Sequence, residues 1–201
     1  MTKKQRSVIA LIGSGIILIS IGMYITTSNI IEEINADLTS KQELSKVQYM
    51  IPTLSEKDNI ESKYNVKYGD EMPFIEVDGL KYIGIVNIPK LGLSLPVQMD
   101  WDYDKLKQTP CLYEGNIYDD SMIIMAHSYR RHFGYISQLV PGDEITFTNV
   151  NGMVYRYAAT QILKIEGTDI DSMVQTDADI TLFTCDYGGQ NRVTIRGTRI
   201  N

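Results

Sequence analysis

The chain has 201 residues, a formal net charge of −6 and 43% apolar residues. That composition suits one folded domain, or one domain with an appendage, and excludes global disorder. Two cysteines exclude a disulfide-rich scaffold and a multi-cysteine zinc site, and the acidic balance gives no electrostatic drive toward nucleic acid.

Val8 to Ile25 is an 18-residue run without charge, and Ser and Thr carry it on to Ile31. A helix of about 20 residues crosses a bilayer. Lys3, Lys4 and Arg6 precede the run, and Glu32 and Glu33 follow it. The positive-inside rule therefore keeps the N-terminus in the cytoplasm and puts everything after residue 31 outside. The run is longer than the apolar stretch of a cleaved signal peptide, and Ile25-Thr26-Thr27-Ser28 is a poor cleavage site. Residues 1–7 are thus expected to be cytoplasmic and 8–31 to form a single retained membrane anchor. Without Lys3, Lys4 and Arg6, 16 basic residues face 25 acidic ones, so the part from residue 7 onward carries −9.

Ile30, Ile31, Ile34, Leu38, Leu44, Val47 and Met50 recur at helical spacing, which predicts a juxtamembrane helix that Pro52 stops. Residues 53–78 are polar and aperiodic and read as a linker or surface-wrapping arm. The juxtamembrane helix and linker together take 32–78. A β-rich domain is expected over 79–201. Tyr82 to Ile88 reads as a strand, Pro89 to Gly92 as its turn, and Leu93 to Gln98 as a strand that Pro96 assigns to an edge or bulge. Tyr103 to Lys107 suits a short helix and Ser121 to His127 an apolar strand. Phe133 to Leu139 suits one or two helical turns, and Pro141-Gly142-Asp143 is a tight turn. Glu144 to Thr148, a turn at Asn151-Gly152, and Val154 to Ala158 form a hairpin that continues through Gln161 to Ile165. Ile180 to Thr184 and Val193 to Arg199 close the chain. About eight short strands, no βαβ rhythm and no repeat predict a mainly β fold, a closed or nearly closed mixed barrel with short helices.

Cys185 ends the apolar strand Ile180 to Thr184 and opens into the Gly-rich segment Asp186 to Asn191. A strand end beside a loop holds a side chain in place and leaves it accessible. The competing reading of Cys185 is a buried structural thiol. His127 ends its strand in the same way, while His132 follows two arginines and reads as exposed. Arg192 opens the last strand seven residues after Cys185, and Arg196 shares its face. Neither the two cysteines nor the two histidines have metal-ligand spacing, so no metal site and no cofactor are expected.

Thr181-Leu182-Phe183-Thr184-Cys185, followed by Arg192-Val193-Thr194-Ile195-Arg196-Gly197, resembles the signature of the sortases. His127 precedes Cys185 by 58 residues, Ile88-Pro89-Lys90-Leu91 resembles an early stretch of that family, and Leu139 to Asp143 resembles its Leu-x-x-Gly-Asp turn. The similarity covers roughly residues 80–200. It implies an eight-stranded barrel on the Gram-positive cell surface, held by its N-terminal transmembrane helix. Such an enzyme cleaves an LPxTG-like sorting signal of a secreted protein through a cysteine thioester. It then joins the acyl group to an amine of the cell wall (lipid II or peptidoglycan) or to a pilin lysine. The resemblance gives Cys185 the nucleophile's role, His127 proton transfer, and Arg192 the oxyanion or the substrate backbone. It assigns Thr184 and Ala126 to substrate binding and makes 174–181 a groove wall.

The sequence also departs from the family pattern. The loop between Cys185 and Arg192 is short, and Cys111 matches no catalytic role and reads as a spare buried thiol. Glu71-Met72-Pro73-Phe74 only faintly echoes the lid of pilus-building relatives and reads as a surface segment. Asp119-Asp120 and Asp169 with Asp171 lack a full calcium-ligand pattern. Two other readings compete: a different envelope cysteine peptidase, and a membrane-tethered barrel that binds without catalysis. Histidine and glycine do not immediately precede Cys185, as they would in an L,D-transpeptidase, and Cys185 does not start a helix, as a papain-like cysteine would.

Overall fold

The computed structural model describes residues 3–53 and 67–200. Most of the expected linker, residues 54–66, lies outside the described residues. Two compact units form, Met1–Asn35 and Ala36–Asn201.

The first helix, α1, spans Lys3–Met50 and ends two residues before Pro52. Its N-terminal portion is apolar all round: one 18-residue window has a mean hydropathy of 2.4 and none of it is buried, which makes it a candidate membrane span. From Ala36 onward the helix is one-sided. Ala36, Ser40, Glu43 and Val47 are buried and recur at steps of four, three and four, a single helical face. Val47 packs with Val77, Tyr82 and Ile85. Glu43 accepts a hydrogen bond from the Tyr82 hydroxyl at 3.2 Å and pairs with Lys46 at 2.7 Å. This stretch of helix is therefore part of the second unit's core.

Nine strands follow: β1 (Ile75–Val77), β2 (Leu80–Ile88), β3 (Leu93–Gln98), β4 (Cys111–Glu114), β5 (Met122–Met125), β6 (Glu144–Asn149), β7 (Val154–Glu166), β8 (Ile180–Cys185) and β9 (Asn191–Arg199). Their order is β1-β2-β3-β4-β5-β8-β9-β7-β6, and β6 also pairs with β2. That last pairing closes β2 to β9 into an eight-stranded ring, with β1 added outside it. Two short helices, α2 (Tyr103–Leu106) and α3 (Ile170–Val174), lie in connections, and Asp102 and Asp169 cap them through backbone N–H groups. The ring seam needs Gly84. A Cβ there would lie 2.2 Å from the Thr148 carbonyl oxygen and 2.7 Å from the Phe147 ring. Alternating Val, Ile and Leu positions, among them Val86, Ile124, Leu182 and Ile195, fill the ring interior.

Three strand or helix segments escape the sequence reading: β1, β4 and α3. Pro96 faces Ile85 of β2 on one side, while β3 meets β4 at a single pair, Gln98 with Cys111. Its missing N–H therefore costs the sheet little. The segment read as an ordinary surface run instead inserts Met72 into the barrel core, and the carbonyl of Asp70 accepts from the Asn116 amide at 2.7 Å.

Candidate active site

Parallel strands β5 and β8 pair Met122 with Ile180 through to Met125 with Phe183. The Ala126 N–H donates to the Phe183 carbonyl at 3.1 Å and extends that register by one residue. The same register carried one step past the strand would set His127 level with Cys185. On the opposite side of β8, Cys185 pairs directly with Arg192 of β9. Neighbouring strands lie about 4.8 Å apart, so thiol, imidazole and guanidinium-bearing residues stand in a row across three strands. Parallel pairing requires a long crossover, which the β6–β7 hairpin and α3 supply. That crossover brings together residues 58 apart in sequence.

Cys185 and Arg192 share the outer face. Ile124 and Leu182 point into the core, while Ile123 and Phe183 belong to a separate outer cluster with Ile165 and Met173. Cys185 is two residues beyond Phe183 and so continues that outer row. Met173 and Val174 of α3 pack on this cluster and form an apolar shelf beside the row. Tyr113 meets Phe183 edge-on at 5.2 Å and extends the shelf toward Trp101, 6.0 Å from Tyr113. Both His127 and Cys185 are half-buried.

Arg192 does not reach over Cys185 here. Its Nη1 donates to the carbonyl oxygens of Gly189 at 3.0 Å and Asn191 at 3.3 Å. The guanidinium lies against Gly167, where a Cβ would come within 2.9 Å of Nη1. Its surroundings include an open depression of about 460 Å³ lined by Glu166, Gly167 and Gln190. Arg196, on the same face, is occupied differently: its Nη2 donates to the Ser172 carbonyl at the α3 end. The short β8–β9 loop is braced by Asp186, which pairs with Lys164 at 2.9 Å and accepts from the Asn191 side chain at 2.8 Å. Those bonds, Lys164 first, hold the Asp186 carboxyl well below the usual carboxylate range.

Thr184 and Ala126 lie beneath the row, not on its surface. Both are buried, at 3% and 4% exposure, and the Thr184 hydroxyl donates to the Ala126 carbonyl at 2.7 Å. That carbonyl belongs to the peptide that carries His127. The bond ties the histidine's backbone to the cysteine's strand.

His132, read from sequence as exposed, is fully buried. Flanking Arg130 and Arg131 are exposed and masked this in the sequence. Burial, with the nearby His127, lowers the His132 pKa to about 4, while Asp37 acts in the opposite sense. His132 lies 5.5 Å from the Tyr129 ring, and Tyr129 lies 4.9 Å from the His127 ring.

Cys111 is a buried free thiol whose pKa burial pushes up to about 12, so it is protonated at neutral pH. The acidic residues noted in sequence have structural partners. Asp119 accepts from the Gly69 N–H, Asp120 pairs with Arg199, and Asp169 caps α3. Among the described residues no group of three or more His, Cys, Asp or Glu side chains could hold a metal ion.

The family model "Sortase domain" matches residues 86–200. The chain belongs to the sortase family. Sortases are cysteine transpeptidases associated with the cell surface. Solved sortases share the fold. A Clostridium perfringens sortase D5 transpeptidase superposes with a TM-score of 0.59 at 21% identity, covering 81% of this sortase and 99% of the relative. Sortase C1 from Streptococcus agalactiae gives 0.58 at 23%, covering 81% and 97%. Streptococcus pneumoniae sortase C gives 0.54 at 22%, covering 82% and 89%. No curated protein matches this sortase by sequence.

Proposed function

We propose that this sortase cleaves an LPxTG-like sorting signal of a secreted protein through a Cys185 thioester and transfers the acyl group to an amine of the cell wall or of a pilin. The observation that supports the reading is the pairing of Cys185 with Arg192 across β8 and β9, with His127 two residues past the end of neighbouring β5. The Cys185 thiolate attacks the scissile carbonyl, and the S–C bond forms as the carbonyl becomes an oxyanion. His127 gives a proton to the leaving amine as the C–N bond breaks. The incoming amine then attacks the thioester and gives its proton to His127, and the thiolate leaves. Arg192 has a planar donor fork suited to the oxyanion or the substrate backbone. To reach either it must exchange the Gly189 and Asn191 carbonyls for substrate.

Thr184 and Ala126 act in this proposal from below, by fixing the His127 peptide. The partly exposed edge of that shelf, Val174 with Tyr113, takes the apolar part of the signal, while Phe183 and Met173 are buried within it. The chain acts outside the cell, anchored once by residues 8–31, with the N-terminus inside. The catalytic barrel takes residues 79–201; residues 32–78 connect it to the anchor, and of these Val47, Met72 and β1 pack with it.

Full-length protein in detergent micelles, incubated with LPxTG-like and NPxTG-like fluorogenic peptides with and without an amine, tests the reading. Mass spectrometry should find an acyl adduct on the wild type, absent from Cys185→Ala, and an amine-dependent product. Absence of any adduct, with Cys185 also inert to a small alkylating reagent, would leave the binding-only barrel as the better account. The full chain is the right material because residues 36–50 are part of the barrel's core.

A further inference from the structure

His132 has no part in the transfer chemistry, yet it is the more deeply buried of the two histidines. Both of its ring nitrogens are enclosed without a hydrogen-bond partner among the described residues. An enclosed imidazole left unsatisfied is costly, and native folds keep such groups where they serve a purpose. The five residues between His127 and Phe133 are also tightly folded. Phe133 N–H returns to the His127 carbonyl at 3.2 Å, and His132 and Gly134 N–H groups donate to the Tyr129 carbonyl at 3.0 and 2.9 Å. Inside this knot the rings of His127, Tyr129 and His132 follow one another at 4.9 and 5.5 Å.

His132, at the far end of that row, lies within electrostatic range of α1. Along the docked face, Glu43 reaches Tyr82, and Asp37, nearly two turns earlier, lies near enough for its carboxylate to act on His132. Ser40 sits between them at 3% exposure, and its hydroxyl also lacks a partner among the described residues. Ala36 is buried one turn before Ser40.

We propose that His132 is a positioning residue: with Tyr129 it forms a ring row that braces His127 against the docked face of α1, which makes residues 36–40 of the juxtamembrane helix part of the catalytic support. This rests on the role given to His127 above. His132 is suited to the task because it stays neutral at working pH. A bulky planar ring fills the space below Tyr129 without placing a second positive charge beside an imidazole that must itself take up a proton.

Because the chain has two histidines, histidine-selective NMR of the full-length protein in micelles gives one ring signal for each. Ser40→Glu puts a charge into the buried face and should release it, while Ser40→Ala should preserve it. In the wild type the His132 signal should not titrate above about pH 5. With Ser40→Glu it should begin to titrate, the His127 ring signal should move and broaden with it, and kcat should fall about tenfold at nearly constant KM. Tyr129→Leu should alter the His127 signal while leaving His132 silent. Two results would overturn the proposal. In one, His132 starts to titrate while His127 and kcat stay as in wild type. In the other, His132 stays silent in Ser40→Glu. A wild type that forms no acyl adduct would count against the transpeptidase reading alone, since the two ring signals still decide whether the row is coupled.

Discussion

Acid should weaken this fold through one side chain. An unfolded histidine takes up a proton near pH 6.5, whereas buried His132 does so only near about 4. Between those values the unfolded chain binds a proton that the folded chain refuses, so stability falls as pH falls. The contribution is fully present above pH 6.5 and exhausted below pH 4. A shift from 6.5 to about 4 corresponds to about 3 kcal/mol in total, of which about 2 kcal/mol is gone by pH 5. Guanidinium unfolding of the full chain, followed by Trp101 fluorescence at pH 7, 6 and 5, measures the loss. His132→Gln keeps a polar, uncharged group of similar reach and removes the titration. Its stability at pH 7 will be lower, but its decline from pH 7 to 5 should be smaller than the wild type's by about 2 kcal/mol. Most carboxylates remain ionised over that window, so they contribute little to the difference. Equal declines in the two proteins would refute the argument and mean that His132 is protonated without penalty.

Thr184→Val removes the bond to the Ala126 carbonyl and should cost about 1–2 kcal/mol, or about 3–6 °C in melting temperature. It should also lower kcat, with Thr184→Ser recovering both in a melting and turnover assay. Gly84→Ala forces a Cβ against the Thr148 carbonyl and should destabilise the barrel seam by at least about 2 kcal/mol in denaturant titration. Arg192→Ala should reduce kcat by about 10²–10³ in the peptide assay, and Arg192→Lys should not restore it, because a point charge lacks the planar fork. Unchanged turnover in Arg192→Ala would remove that side chain from the reaction.

The eight-stranded ring and the positions of Cys185 and His127 at or just past strand ends were legible because dense apolar runs, not length, announce β5 and β8. Periodicity also exposed α1 and its stop at Pro52. Short elements were not legible: β1 has three residues and β4 four, too few for alternation to stand out. His132 was misread because its neighbours are arginines, and a single buried position in a polar loop leaves no periodic trace. Met72 escaped for the same reason. Arg192 could be placed on the correct face, but the direction of its guanidinium depends on Gly167, which lies 25 residues earlier on another strand's end. Thr184 and Ala126 were expected to bind substrate by resemblance, and the buried bond that joins them could not be read from sequence.

The ring closure has a consequence for how a peptide can be read. β8 is flanked on both sides, by β5 as far as Phe183 and by β9 as far as Cys185, which leaves little free main-chain edge on the strand that carries Cys185. A guest chain finds little room on β8 to dock as an added strand, the route by which many domains capture extended peptides with little regard to their side chains. It must lie across the outer face and be recognised residue by residue. For the function proposed above, discrimination then comes from side-chain shape and charge at individual positions of the peptide.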